Sequence, residues 1–265
     1  MNIFAREMKV HAKSLIIWSI GMVFMVFAGM GQYGGSVASD QSMNELLAQM
    51  PKSLQNIMGV GTFDLSLASG YYGILFLYLV LMVAIHAAMM GADIISKEER
   101  DKTSEFIFVK PVSRDRIITS KLSAAVVNIL ILNFVTLISS IVIVGYYSTG
   151  EDVTNDILKL MVGLFILQVL FLFIGTAISA LCKKPKSSIS VATGILLFMF
   201  MLSMAIDIES NLEPLKYLTP FKYFEAKSLM YGGEFQLTFV FLSILIIGIC
   251  SCVTYLFYRK RDLTI

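Results

Sequence analysis

Six long stretches of this chain carry no charged residue: 14–39, 65–92, 122–150, 160–182, 187–206 and 235–258. A helix needs roughly 20 apolar residues to cross the hydrocarbon of a bilayer, and every one of these runs is long enough. In hydrocarbon each backbone amide must be satisfied inside its own segment, which makes helices the default, and the alternation of barrel strands is absent. The expected fold class is therefore all-α: a polytopic membrane protein with six transmembrane helices, at about residues 14–35, 68–92, 119–147, 158–182, 187–206 and 236–258, in one transmembrane domain spanning 1–265. Composition agrees, since 15% of residues are charged where a soluble domain has about 25%. The first run follows Arg6, Lys9 and Lys13 and precedes the small residues Ala38 and Ser39, as a cleaved leader would. It is longer than the roughly 7–15 residues of a signal core, so it is expected to stay as the first span.

Lysine and arginine set the orientation. Segments 1–13, 93–121, 183–186 and 259–265 hold 16 of the 21 basic residues, and the alternate segments hold 5. The first set is expected in the cytoplasm, with both termini. No basic cluster is interleaved with aromatics, so a nucleic-acid partner is set aside. Cys182, Cys250 and Cys252 lie in or beside apolar runs, which speaks against a disulfide framework.

The connections are not plain loops. In 1–13, Ile3, Phe4, Met8 and Val10 alternate with charged residues, and a helix lying on the inner membrane surface is expected before the chain turns into the first span. Leu46, Leu47, Met50, Leu54, Ile57 and Met58 recur at helical intervals around Pro51, which predicts two short helices on the outer surface. The outer segment 207–234 is too apolar for a free loop. Leu212, Leu215, Tyr217, Leu218, Phe221, Tyr223 and Phe224 are expected to dip back towards the bilayer, there either to cap a pathway or to pack on the helix ends. Segment 93–118 is the most distinctive. It mixes charges of both signs, presents Phe106, Ile107 and Phe108, and breaks at Pro111, which cannot continue a helix. Ser113 sits where an N-cap for the third span is needed. A helix, a turn and a second helix against the membrane make a surface for a soluble partner.

The chemistry-bearing residues are few. No phosphate-binding loop occurs, and no glycine is followed by lysine anywhere in the chain. ATP hydrolysis, with its ATP and Mg²⁺, would belong to another subunit, and no cofactor, metal or catalytic residue is expected here. His11 and His86 are the only histidines, too few for a metalloprotease centre. His86 is the one ionisable residue deep in a run, joined by Asn128, Asn133 and Gln168. Two readings stand for it, an interhelical hydrogen bond or the lining of a pathway. Met22, Met25 and Met199, among 16 methionines, would suit a route for greasy substrates of varied shape, or ordinary helix packing.

Lys97-Glu-Glu-Arg-Asp-Lys-Thr-Ser-Glu-Phe106, then Pro111-Val-Ser-Arg114 and Lys121, resembles the coupling segment of the ABC-2 class of ATP-binding-cassette permeases. Residues 54–59 and 218–224 also look like family features, and the likeness runs through nearly the whole chain in span order. The resemblance implies a permease subunit without an ATPase domain, paired with a second permease, identical or paralogous, above two ATPase subunits in a bacterial cytoplasmic membrane. It places a coupling helix at 96–109, with Glu98, Glu99, Arg100 and Glu105 facing the ATPase, Phe106 and Phe108 as apolar anchors, and Pro111, Ser113 and Arg114 ending the motif. Spans one, two and five would line the route. Many members have glycine where Lys102 stands, and a leucine run where this chain has residues 106–109. That variant is similar to peptide-exporting permeases of small Gram-positive operons, the phenol-soluble modulin exporters among them. The competing class is a membrane-bound sensor or regulator that docks a soluble partner through 93–118.

Overall fold

The computed structural model describes residues 3–38, 49–52, 55, 63–102, 112–148, 152–231 and 234–260. Of the described residues 88% are helical, and none is in a strand. Among the described residues six helices are long and apolar enough to cross a membrane: α1 (Ile3–Ala38), α2 (Ala68–Arg100), α3 (Arg114–Tyr147), α4 (Thr154–Leu181), α5 (Ser188–Ile208) and α7 (Leu237–Lys260). The short α6 (Ala226–Tyr231) and two 3₁₀ segments, Ser210–Tyr217 and Pro220–Lys222, fill the connection between α5 and α7.

Glycine decides which helices form the centre. A Cβ on Gly91 would lie 2.1 Å from the Leu172 carbonyl oxygen, and one on Gly175 would lie 2.4 Å from that of Ala88. Backbones approach this closely only where side chains are absent, the usual device for packing helices without a hydrophobic drive between them. α2 and α4 are accordingly the core pair: 67% and 56% of their most apolar windows are buried, against 17% for α1, α5 and α7. The outer helices turn Ile17, Phe24, Phe198, Met201, Phe241 and Ile244 outward, as lipid-facing positions require. Several polar residues of the spans are bonded between helices or along them. Asn133 Nδ2 donates to the Met161 carbonyl at 3.2 Å and to Gln168 Oε1 at 3.4 Å, joining α3 to α4, and Asn128 Nδ2 donates to the Ala124 carbonyl at 2.9 Å.

Two expected elements take a different form. The stretch 1–13 is not a separate surface helix, because from Ile3 onward it is the first part of α1. At 36 residues and about 1.5 Å per residue, α1 outreaches the hydrocarbon. Its first turns are held against the bundle by Glu7, fully buried on Lys97 of α2. The coupling helix expected over 96–109 is interrupted. α2 carries residues 96–100 and then stops, with Asp101 as C-cap and Lys102 at φ 54°. That conformation disfavours a side chain and favours glycine. The segment 103–111 and most of 39–62 lie outside the described residues, and with them the expected outer surface helices.

The segment after α5 dips into the bundle. Thr219 Oγ1 donates to the Met199 carbonyl at 2.8 Å, two turns and more before the end of α5. Phe221 packs on Phe171 of α4 and Phe200 of α5, with ring centroids 4.9 and 5.2 Å apart, and Tyr223 stacks on Phe239 of α7 at 4.9 Å. Non-helical backbone at this depth is tolerated only where protein covers it, and Phe221, Tyr223, Phe224 and Leu229 are all buried.

Candidate functional site

Six antiparallel spans bring Ile3 and Lys260 to one end of the bundle, and the described residues of the coupling motif gather there. α2 reaches this end with Asp93, Lys97, Glu98, Glu99 and Arg100 in its last two turns. Residues 97 and 98 are buried there, while 99 and 100 are half-buried. Lys97 Nζ meets Glu7 and stands 3.4 Å from His11 Nε2, both on α1. Glu98 meets Lys121 of α3, whose Nζ also donates to the Ile94 carbonyl at 2.8 Å. Lys121 is fully buried and Glu98 is 5% exposed. Ser188 of α5 donates to Ser96 at 2.9 Å. Three helices, α1, α3 and α5, are thereby tied to the last turns of α2.

The residues expected to face a partner divide accordingly. Glu98 does not: its carboxylate is turned into the protein because Lys121, a buried cation, needs a counter-charge there. Glu99 and Arg100 are half-buried, and Arg100 bridges Asp93 at 2.5 Å and Asp101 at 3.0 Å. Ser113 is the N-cap of α3, its Oγ accepting from the Arg116 amide at 3.4 Å, as its place in the sequence predicts. Arg114 donates to the Arg259 carbonyl at 2.9 Å, and Arg259 pairs with Asp115 at 2.6 Å, which joins α3 to the end of α7. Glu105, Phe106, Phe108 and Pro111 lie outside the described residues.

Of the candidate pathway residues, Met22 is fully buried in the core, while Met25 and Met199 pack against it. His86 lines a cavity of about 240 Å³ with Trp18, 5.2 Å from it ring to ring. Sequence reasoning missed the set Glu7, His11, Lys97 and Lys121 as a buried unit. The four-residue spacing of Glu7 and His11 on one helical face was the available signal.

At the far end of the bundle a second ionic cluster borders a mostly apolar cavity of about 80 Å³ lined by Phe76, Val80, Met204 and Phe221. Lys222, 9% exposed, donates to Asp207 at 2.5 Å and also meets Glu225. Burial works against the charge on Lys227, but the Glu225 and Asp207 carboxylates outweigh it and hold the ammonium above its usual range. Burial pushes the Tyr223 hydroxyl up to about 12, so it stays protonated and donates to the Tyr217 carbonyl at 2.5 Å. No group of three or more His, Cys, Asp or Glu among the described residues has a metal-holding arrangement.

No curated protein matches the chain. A family model does, and it covers residues 1–263 under the description ABC-2 family transporter protein. With that match over nearly its full length, the chain belongs to the ABC-2 family of transporter proteins, as a multi-pass transmembrane permease.

Proposed function

We propose that this permease is the membrane subunit of an ATP-binding-cassette exporter in the bacterial cytoplasmic membrane, with the motif-bearing end of the bundle and both termini in the cytoplasm. It moves a hydrophobic or amphipathic substrate, with a peptide favoured. A separate ATPase supplies ATP, Mg²⁺ and the hydrolytic chemistry, docking on segment 93–118, and a second permease, a copy of this chain, completes the pathway. The concentration of basic residues in the segments at that end supports the orientation.

The observation that carries the reading is the Glu98–Lys121 pair. It joins the end of α2 to the start of α3, the two ends of the connection that would receive the ATPase. The neighbouring Glu7–Lys97 pair ties the same turn of α2 to α1. A force applied to this connection therefore reaches three helices through buried contacts instead of being lost in a loose loop. Reconstitution tests the proposal. The chain alone should hydrolyse no ATP, whereas liposomes holding it with its ATPase should move an amphipathic peptide only when ATP is present. Turnover by the isolated chain, or transport that ignores ATP, would overturn the reading.

A further inference from the structure

His86 is the most anomalous polar group in the molecule. It is 2% exposed, and neither ring nitrogen has a hydrogen-bond partner among the described residues. A buried imidazole left in that state is costly, so its surroundings should offer something to complete it. They offer the cavity between α1, α2 and α5. Helices α1 and α2 run antiparallel here: Glu7 meets Lys97 near the chain ends, and Trp18 meets His86 further in. Between these rungs His11 and Ser14 of α1 and Asp93 of α2 line the same cavity. The groove thus leads from the charged end of the bundle inward and stops at an indole and an imidazole.

The lining selects the ligand's charge. Among the described residues it contains a carboxylate, a hydroxyl, thioethers, an indole face and imidazoles, and no lysine or arginine. The nearby cations are already paired, Lys97 with Glu7 and Arg100 with Asp101 and the Oδ1 of Asp93, so the ligand's share of Asp93 is its Oδ2. A neutral imidazole presents a lone pair to a donor, and an indole face attracts a cation, more strongly once water is excluded. An anion would meet Asp93 and find no fixed positive charge within the groove. We infer that this groove is a binding site for the ammonium group of an amphipathic molecule, with Asp93 drawing it in and His86 and Trp18 holding it. The inference rests on the transport reading, since it names the chemistry of what is moved.

Trp18 is the only tryptophan in the chain, so its fluorescence reports on this cavity alone. The purified permease in a non-ionic detergent is titrated with dodecylamine, dodecanol and dodecanoate. Dodecylamine should give a saturable change at a concentration at least roughly tenfold below the other two, the scale of one charge-assisted contact. His86→Leu and Asp93→Asn should each raise that concentration several-fold, and His86→Gln, which keeps a polar acceptor, should raise it less than His86→Leu. A lysine-bearing amphipathic peptide that displaces dodecylamine assigns the amine to a peptide, and displacement by phosphatidylethanolamine assigns it to a lipid. Equal response to all three probes, indifference to His86→Leu and Asp93→Asn, or displacement by neither competitor would overturn the site. If a variant fails to fold, the comparison of the three probes on the unaltered protein still decides. No ATPase is present in this experiment, so loss of ATPase pairing would sink the transport reading while leaving the ammonium site standing, and the reverse.

Discussion

The two ends of the bundle are held together by different physics. At the end carrying the termini, helix is tied to helix by charge and hydroxyl contacts: Glu7 to Lys97, Glu98 to Lys121, Ser188 to Ser96 and Arg259 to Asp115. At the far end the ties are mainly aromatic, with Tyr33 between Tyr71 and Tyr147, and Phe221 between Phe171 and Phe200, beside one buried hydroxyl contact from Tyr72 of α2 to Ser140 of α3. The ionic cluster there, Asp207 with Lys222 and Glu225, fastens α5 only to the segment that follows it. Ring packing weakens by degrees as groups move. A buried ion pair does not, because a separated charge in a low dielectric has no cheap alternative. The charge-locked end is thus suited to move as one body, and the aromatic end to repack.

Substitutions can break this contrast. Lys121→Met leaves Glu98 buried without its partner and should cost about 3–5 kcal/mol, read as a lower thermal transition and a loss of monodisperse protein. The double variant Lys121→Met with Glu98→Leu should recover most of that loss, whereas equal damage from single and double variants would mean that packing, and not charge, holds this end. Phe221→Ala should cost about 3 kcal/mol, and amide exchange should rise around 210–231 while the last turns of α2 stay protected. Lys102→Gly relieves the φ 54° residue and should raise stability by up to about 1 kcal/mol. Arg259→Gln should leave the transition unchanged, since this pair is about half exposed on both sides and such pairs contribute little.

Much of the scaffold was legible in the sequence because lipid imposes a one-dimensional rule. Uncharged runs located the spans, Ser113 announced the start of α3, and the excess of Phe and Tyr in 207–234 marked a segment that would not stay in water. The inward turn of Glu98 was not legible. It depends on how far α2 continues past the membrane before ending, and adjacent helical residues point in quite different directions. The Glu7–Lys97 pair spans 90 residues and follows only from the antiparallel register of α1 on α2. The continuity of residues 3–13 with the first span was not legible for the same reason: alternating polarity reads as an interface with lipid, and nothing local shows that the charged face has a protein partner. The inward turn also changes which residue reports on docking. Reversing Glu98 would damage the fold, while Glu99 tests the surface.

Co-elution of the permease with its ATPase, comparing the unaltered chain with Glu99→Lys, is the most direct measurement of the central claim. A buried charged contact at an interface is worth about 2–5 kcal/mol when one side is removed. The account expects Glu99→Lys to release the ATPase and stop ATP-driven transport while the permease keeps its thermal transition. An unchanged complex that transports normally would contradict it, because the turn of α2 locked in place by Glu98 and Lys121 would then have no part in receiving the ATPase.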